Sequence, residues 1–247
     1  MTNEIVYESV RGVARILLNR PEKRNAFNES MSIGLFEAWK RFQASDDRAA
    51  LIIPAGGDFS VGADVKSRPQ NFPLSIPGIG VDVTKPIVAA VDGWCTGGAV
   101  VVVQMCDLCV ATDRAKFIYP EAKRGFTGGM IAGIANRIPH KIAMEMMLLG
   151  DEITGQRAFD VGFVNRVVPP SDLEAAAMDY AERLAARAPL VIAKLKEMAA
   201  ELIPYGQAEK AARTRYALSA IRESDDAHEG VASFLEKRPS VFTGKLP

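Results

Sequence analysis

The stretch FSVGAD, residues 59–64, and a second stretch, WCTGGA, residues 94–99, decide how this chain is interpreted. Each follows an apolar run that is typical of a strand, and each carries glycine, which lets a backbone N–H be approached without a side chain in the way. Two such donors aimed at one point hold a developing oxyanion. A carboxylate, Glu121, follows on a third element. These parts predict an enzyme that acts on a carbonyl group through an enolate.

The bulk composition excludes several classes of function. An apolar fraction of 48% is enough for a sizeable core, and the formal net charge is zero with 30 basic and 30 acidic residues. This balance gives no reason to expect nucleic acid or a membrane surface as a partner. No apolar run approaches the ~20 residues that span a bilayer, and the N-terminus lacks the pattern of a signal peptide. We therefore expect a cytoplasmic protein.

The cysteine pattern also favours a reducing compartment. The chain has three cysteines, an odd number, and two of them form the CxxC motif at 106–109. A metal site would need further ligands, and only His140 and His228 are available, so we expect no metal. We interpret this motif as a buried junction between a helix and a strand, because it follows a long apolar run.

Strands and helices alternate along the first two thirds of the chain, which indicates a largely parallel α/β arrangement. From residue 171, where SDLE reads as a capping box, the pattern is helical to about 237 with breaks at Pro189 and at 204–206. Residues 65–86 read as a loop. The predicted strands are 5–10, 12–18, 49–54, 87–91, 108–112 and 116–119, and the earlier helices are 28–42, capped by Asn28, and 97–105.

Eight segments along the chain form a recognisable series. They are LNRPEKRNA (18–26), FSVGAD (59–64), KPIVAAVDG (85–93), CDL (106–108), FIYPE (117–121), GD (150–151), AFDVGFV (158–164) and FLEKRP (234–239). In this order and spacing they resemble the crotonase, or enoyl-CoA hydratase/isomerase, superfamily. The resemblance implies a spiral of ββα units over residues 1–190, carrying an acyl-CoA site, and a helical C-terminal trimerisation region over 191–247. It also implies a homotrimer or a hexamer, a dimer of trimers. Because coenzyme A is part of the substrate in this family, no separate cofactor is expected.

Three positions match the catalytic positions of this family. The N–H groups of Ala63 and Gly98 match the oxyanion hole for the thioester carbonyl, and Glu121 matches a catalytic glutamate. An acid–base carboxylate there should be partly buried, with a raised pKa. The alternatives are that the glycines beside these donors serve only turns or packing, and that Glu121 is a solvated surface carboxylate.

Contacts with coenzyme A are implied at several further positions. The loop around Arg24, Asn25 and Ala26 matches the adenine-binding loop, and Asp64 matches a residue that bonds nearby backbone rather than one that reacts. Arg24 and Lys66 are equally well explained as surface charges, and Phe234 as plain helix packing; Lys237 and Arg238 lie beside it. The implied set of substrate-contacting residues is Arg24, Ala26, Ala63, Asp64, Lys66, Gly98, Phe234 and Lys237.

Two departures from the family bear on the reaction. Hydratases carry a second glutamate three residues after the Gly98 position, where this chain has Val101. Glu121 alone suits a 1,3-proton shift, the Δ3-to-Δ2 isomerisation of an enoyl-CoA, although one carboxylate acting through a water also permits hydration. Hydrolysis or decarboxylation of a specialised CoA ester and a non-catalytic CoA-binding role stay open. The segment of residues 125–133 is also shorter than its counterpart in the family, where it forms part of the wall of the acyl pocket. The acyl chain of the substrate is therefore not inferred from the family.

Overall fold

The computed structural model describes residues 4–203 and 205–245, with Ala220 described by its backbone alone. Its main feature is a six-stranded sheet in the order β1-β2-β3-β4-β6-β9. β1 and β2 are antiparallel, and every later neighbour in this sheet is parallel. The strands are β1 (Ile5–Val10), β2 (Val13–Leu18), β3 (Ala49–Pro54), β4 (Ile87–Val91), β6 (Leu108–Thr112) and β9 (Arg166–Val168).

Both faces of this sheet are covered, which explains why its central strands are apolar throughout. In β3 every residue is buried. Ala50 and Ile52 pack in one core with helix α1 (Glu29–Ala44). Leu51 and Ile53 point the other way and pack in a second core with helix α6 (Leu173–Ala185). The period of two therefore assigns alternate residues of one strand to two separate hydrophobic layers.

A smaller sheet carries the segments that the sequence singled out. It contains β5 (Trp94–Thr96), β7 (Lys116–Ile118) and β8 (Ile153–Thr154), in the order β5-β7-β8. An isolated parallel bridge between Ser60 and Cys95 joins the FSVGAD segment to β5. The FSVGAD segment thereby lies beside the WCTGGA segment, and β7 leads into Glu121.

The helices agree with the predicted order. Asn28 caps α1 by accepting a hydrogen bond from the Met31 N–H at 2.8 Å, as predicted. The capping box at 171–174 is wrong: Pro170–Asp172 is already a 3-10 turn, and Asp172 makes no side-chain cap. The helices are α1 (Glu29–Ala44), α2 (Gly98–Gln104), α3 (Glu121–Arg124), α4 (His140–Met144), α5 (Gly155–Asp160), α6 (Leu173–Ala185), α7 (Pro189–Leu202), α8 (Gln207–Arg222) and α9 (Asp225–Glu236).

The connections are also close to expectation. Residues 65–86 form a loop with one 3-10 turn, Phe72–Ser75, anchored where the Trp39 indole donates to the Ser75 carbonyl at 2.9 Å. Cys106 and Cys109 lie at the junction of α2 and β6, as predicted. Pro189 begins α7 and Gly206 precedes α8; the break expected at Pro204 lies outside the described residues. The division into residues 1–190 and 191–247 stays a prediction.

Two features are absent from the described parts of the chain. No helix there is long and apolar enough to cross a membrane. No group of three or more His, Cys, Asp or Glu side chains there is placed to hold a metal ion.

Candidate active site

The two glycine-bearing segments run side by side. The Ser60 N–H donates to the Trp94 carbonyl, and the Thr96 N–H donates to the Ser60 carbonyl, each at 2.9 Å. Gly62 has φ of 89°, and a Cβ at this position would lie 2.9 Å from the Thr96 carbonyl oxygen. Only glycine permits this approach, so the close pairing of the two segments depends on it.

Neither predicted donor, the Ala63 N–H or the Gly98 N–H, makes a hydrogen bond to another described residue. The Phe27 N–H donates to the Gly62 carbonyl and the Asp64 N–H donates to the Phe27 carbonyl, each at 2.8 Å, so the intervening Ala63 N–H is directed away from Phe27. Gly98 is the first residue of α2, where backbone N–H groups have no intrahelical partner. Across residues 4–203 and 205–245, neither the Ala63 nor the Gly98 N–H donates to a protein acceptor.

Glu121 stands against this pair of segments. It begins α3 immediately after β7, and a Cβ added to Gly97 would lie only 2.8 Å from its Oε1. Gly97 itself has φ of 59° and ψ of −121°, a conformation that side chains disfavour. The absence of a side chain at Gly97 therefore allows the carboxylate to sit directly beside the residue that precedes the Gly98 donor.

The carboxyl group of Glu121 is poorly solvated. Its residue is 8% exposed, and its Oε2 has no hydrogen-bond partner among the described residues. Burial raises the pKa of Glu121 to about 7, and the nearby Arg124 offsets only part of this shift. The expectation of a partly buried carboxyl with a raised pKa is confirmed, and the alternative of a solvated surface carboxylate is wrong.

Two adjoining cavities meet at these groups. One has a volume of about 370 Å³ and the other about 300 Å³, and both are lined by Ala63, Gly98 and Glu121. The larger cavity continues along α2 to Val101, the position where a second glutamate would stand. Glu121 is the one carboxylate that the described residues contribute to the lining of either cavity.

A sequence profile of the enoyl-CoA hydratase/isomerase family matches residues 79–245. The chain belongs to this family, the crotonase superfamily. It is 32% identical to the carnitinyl-CoA dehydratase of Salmonella typhi over 94% of this chain and 95% of that protein. A probable enoyl-CoA hydratase/isomerase from Mycobacterium abscessus has a similar structure, with a TM-score of 0.74 and 36% identity over 99% of this chain and all of that one. The carnitinyl-CoA hydratase from Mycobacterium avium gives a TM-score of 0.77 at 31% identity, with 99% and 100% covered. The predicted crotonase-type α/β fold with a helical C-terminal region is confirmed.

The predicted coenzyme A loop of this crotonase is ordered by its own contacts. The Arg24 guanidinium pairs with Asp58 at 2.7 Å while remaining half exposed. The Asp64 carboxylate accepts hydrogen bonds from Arg20 at 2.8 Å and from the Lys66 N–H at 3.0 Å. Asp64 thus bonds nearby backbone as expected. The carbonyl of Ala26 accepts from the same Arg20 side chain at 2.9 Å, and the Lys66 side chain is exposed. Roles for these residues in binding coenzyme A stay predictions.

The predicted C-terminal contacts lie away from both cavities within one chain. Phe234, on α9, is 82% exposed, so it is not packed within one chain, and both its contact with coenzyme A and plain helix packing stay predictions. Lys237 ends α9 in the left-handed conformation. Arg238 forms an ion pair with Glu229. Neither Phe234 nor Lys237 lines a cavity that contains Glu121.

Several cavity-lining residues were not recognised from the sequence. Arg68 and Phe72 come from the long loop, and Tyr119 precedes Glu121 by two residues. The Phe72 ring lies so close to Gly98 that a Cβ there would be 2.4 Å from the ring. The available signal was position alone, since Tyr119 lies within the FIYPE motif and residues 65–86 were expected to be a loop.

Proposed function

We propose that this protein binds an acyl-CoA thioester and moves a proton through a thioester enolate, with Glu121 as the sole proton-transfer carboxylate. The observation that carries this proposal is the placement of Glu121, which is buried and lines both cavities together with Ala63 and Gly98. Its Oε2 has no hydrogen-bond partner in the part of the chain that the structure describes. A carboxyl group with a pKa near 7 is well matched to proton transfer at neutral pH.

The two cavities suit the shape of a thioester. A thioester carbonyl has two arms, the acyl chain and the pantetheine thiol, which leave in different directions. The larger cavity is walled by Val101, Phe72 and Met130, which favours an acyl chain, and the smaller one leads past Val61 and Val65. We assign the carbonyl oxygen to the junction, where the Ala63 and Gly98 N–H groups are free to donate.

The reaction we assign is the Δ3-to-Δ2 isomerisation of an enoyl-CoA. The Glu121 carboxylate removes a proton from C2, and the electron pair moves to the thioester oxygen, where the two N–H groups stabilise it. The protonated Glu121 then returns the proton to C4, and the double bond forms between C2 and C3. Each oxyanion donor of this kind lowers a barrier by about 3–4 kcal/mol. Val101 supplies no second acid or base, and this reaction needs none.

Hydration is the second candidate, and the comparisons favour it. Relatives that cover nearly the whole chain are a carnitinyl-CoA dehydratase and a carnitinyl-CoA hydratase. In this reaction Glu121 would activate a water toward C3 and deliver a proton to C2. The absence of a second carboxylate at Val101 makes this a more demanding task for one group, so we rank it after isomerisation.

A direct comparison of the two reactions tests the proposal. We expect the purified protein to isomerise 3-hexenoyl-CoA with a kcat/KM at least tenfold above that for hydration of 2-hexenoyl-CoA, each followed by chromatography of the products. The matched chain length keeps the binding contributions similar. Hydration faster than isomerisation would replace the first candidate by the second, and turnover of neither would remove the catalytic proposal.

The pH dependence of kcat/KM provides a separate prediction. Because the ionised form of Glu121 is the base, we expect the rate to rise about tenfold per pH unit below its pKa. The rise should level off near pH 7, where burial places the pKa. Initial rates with 3-hexenoyl-CoA between pH 5 and 9 measure this profile. A midpoint near 4.5 would show that the carboxyl is solvated in the working enzyme.

We also propose that the protein assembles as a homotrimer or a hexamer through its C-terminal helices. α7 has no buried residue within the chain, and apolar side chains recur along it at helical spacing: Val191, Leu195, Met198 and Leu202. Leu202 is 84% exposed. An apolar stripe of this extent marks an interaction surface.

Mass measurement tests this assembly. We expect light scattering to give three or six times the chain mass of 26.7 kDa. The double change Leu195→Asp and Leu202→Asp should lower the mass toward that of one chain, because two charges would be buried without partners. Ile33→Asp, a matched change on the exposed face of α1, should leave it unchanged. An unaltered assembly in the double variant would place the interface elsewhere.

A further inference from the structure

A pair of hydroxyl groups lies in the larger cavity with Glu121. The Tyr119 phenol and the Thr127 hydroxyl are 2.8 Å apart, and the Gly129 N–H donates to the Thr127 oxygen at 3.0 Å. Tyr119 is only 5% exposed. Their mutual bond uses one of the two hydroxyl hydrogens, and in the described parts of the chain no acceptor takes the other. The pair therefore offers one free O–H donor to whatever fills the cavity.

A cation from the opposite loop, Arg68, lines this cavity and also the smaller one. Arg68 makes no ion pair with any described carboxylate, and its guanidinium stacks over the Phe126 ring at 4.7 Å from the centroid. Gln70, two residues further on, contributes an amide side chain to the lining. A guanidinium has five N–H donors in a planar fork that matches a carboxylate. Most of its hydrogen-bonding capacity is left for a ligand.

Most of the polar groups that we have described in this cavity are hydrogen-bond donors. The free hydroxyl, the Arg68 guanidinium and the two backbone N–H groups all donate, whereas Glu121 is the one carboxylate in the lining formed by the described residues. A neutral hydrocarbon chain would leave the hydroxyl and the guanidinium without acceptors. Arg68 and Thr127 are solvent-exposed in the free protein, so a chain that fills the cavity would displace water from these donors. A donor that loses water without gaining an acceptor costs free energy, so a ligand that carries an additional acceptor is favoured.

We propose that the larger cavity selects acyl chains that end in a second carboxylate, the CoA monothioesters of dicarboxylic acids, and that the Tyr119–Thr127 pair and Arg68 bind this carboxylate. The inference rests on the proposed function, because it takes the thioester to lie at Ala63 and Gly98. Val101 and Met130 contact the methylene carbons between the two ends. An acyl chain of six carbons with a terminal carboxylate is the test case.

Binding of saturated, unreactive esters tests this inference apart from catalysis. Adipoyl-CoA and hexanoyl-CoA have six-carbon chains and differ in the terminal carboxylate. We expect calorimetry to show adipoyl-CoA binding about tenfold or more tightly, the usual scale of a charge-assisted contact. Arg68→Gln, Tyr119→Phe and Thr127→Val should each remove most of this preference while leaving the affinity for hexanoyl-CoA nearly unchanged. Arg166→Gln, at the exposed first residue of β9, should leave both affinities as in the wild type.

Three outcomes are informative against the proposal. Equal affinity of the wild type for the two esters would overturn it while leaving the acyl-CoA function intact. An equal loss for both esters in Arg68→Gln would overturn it as well, because Arg68 would then contact the coenzyme A that both share. Failure of both esters to bind would instead overturn the proposed function itself. Melting temperatures within about 2 °C of the wild type, a small shift for a chain of this size, confirm that the variants are folded.

Discussion

Glu121→Gln should lower kcat for isomerisation by about 10²–10⁴-fold, the usual contribution of a positioned acid–base group. Glutamine keeps the size of the side chain and removes its ability to take the C2 proton. The Ala63 and Gly98 N–H groups are untouched, so the affinity for an unreactive acyl-CoA should change by only a few-fold. Steady-state kinetics with 3-hexenoyl-CoA and calorimetry with hexanoyl-CoA measure the two effects.

The same variant should be more stable than the wild type at high pH. Because burial raises the pKa of Glu121 in the folded protein, its ionisation opposes folding. This cost is absent below about pH 4.5, grows toward pH 7 and is complete above it. We therefore expect Glu121→Gln to raise the melting temperature more at pH 8 than at pH 5. Undiminished activity would contradict the assigned role, and a pH-independent change in stability would contradict the buried carboxylate.

Gly97→Ala should lower kcat by about 100-fold or more, the scale of losing one oxyanion donor. Gly97 adopts φ of 59° and ψ of −121°, and the new Cβ would lie 2.8 Å from Glu121 Oε1. Relief of this contact must move either the carboxylate or the segment that presents the Gly98 N–H. Both displacements harm the same proton transfer, and the backbone strain adds a cost of about 1–3 kcal/mol in stability.

Gly162→Ala is the matched control for this change. Gly162 also has a positive φ, 80°, but a Cβ there would meet nothing within 4 Å. We expect it to lower the melting temperature through strain while leaving kcat close to that of the wild type. Equal losses of kcat in the two variants would show that positive φ alone, rather than the position beside Glu121, accounts for the effect.

The parts of the site that are fixed by backbone were recognisable in the sequence. Gly62 and Gly97 stand where the chain needs positive φ and a close approach, and these are requirements that only glycine meets. The central strands were equally recognisable, because a strand in a sheet that is covered on both faces is a continuous run of apolar residues. The helix from Asn28 was predictable because its cap is local.

The side chains that complete the cavity were not recognisable in this way. Phe72 reaches Gly98, and Arg68 reaches Phe126, only because the loop of residues 65–86 folds back over the start of α2. The path of such a loop depends on contacts distant in sequence. The capping box at 171–174 also failed, because the 3-10 turn Pro170–Asp172 precedes α6 and the helix begins only at Leu173. Local sequence rules predict which conformations a segment can adopt, but they do not predict which distant residues it contacts.

The amino-acid sequence alone determined the family and the order of strands and helices, and it singled out Ala63 and Gly98 as candidate oxyanion donors and Glu121 as the candidate acid–base carboxylate. Each of these is marked by a local backbone or motif requirement. Only the tertiary structure decided that Glu121 is buried beside Gly97 and that Tyr119, Thr127 and Arg68 share its cavity. Burial and the absence of a partner are properties of the whole packed chain. The raised pKa of Glu121 and the excess of hydrogen-bond donors around it therefore depend on the three-dimensional surroundings that those residues share.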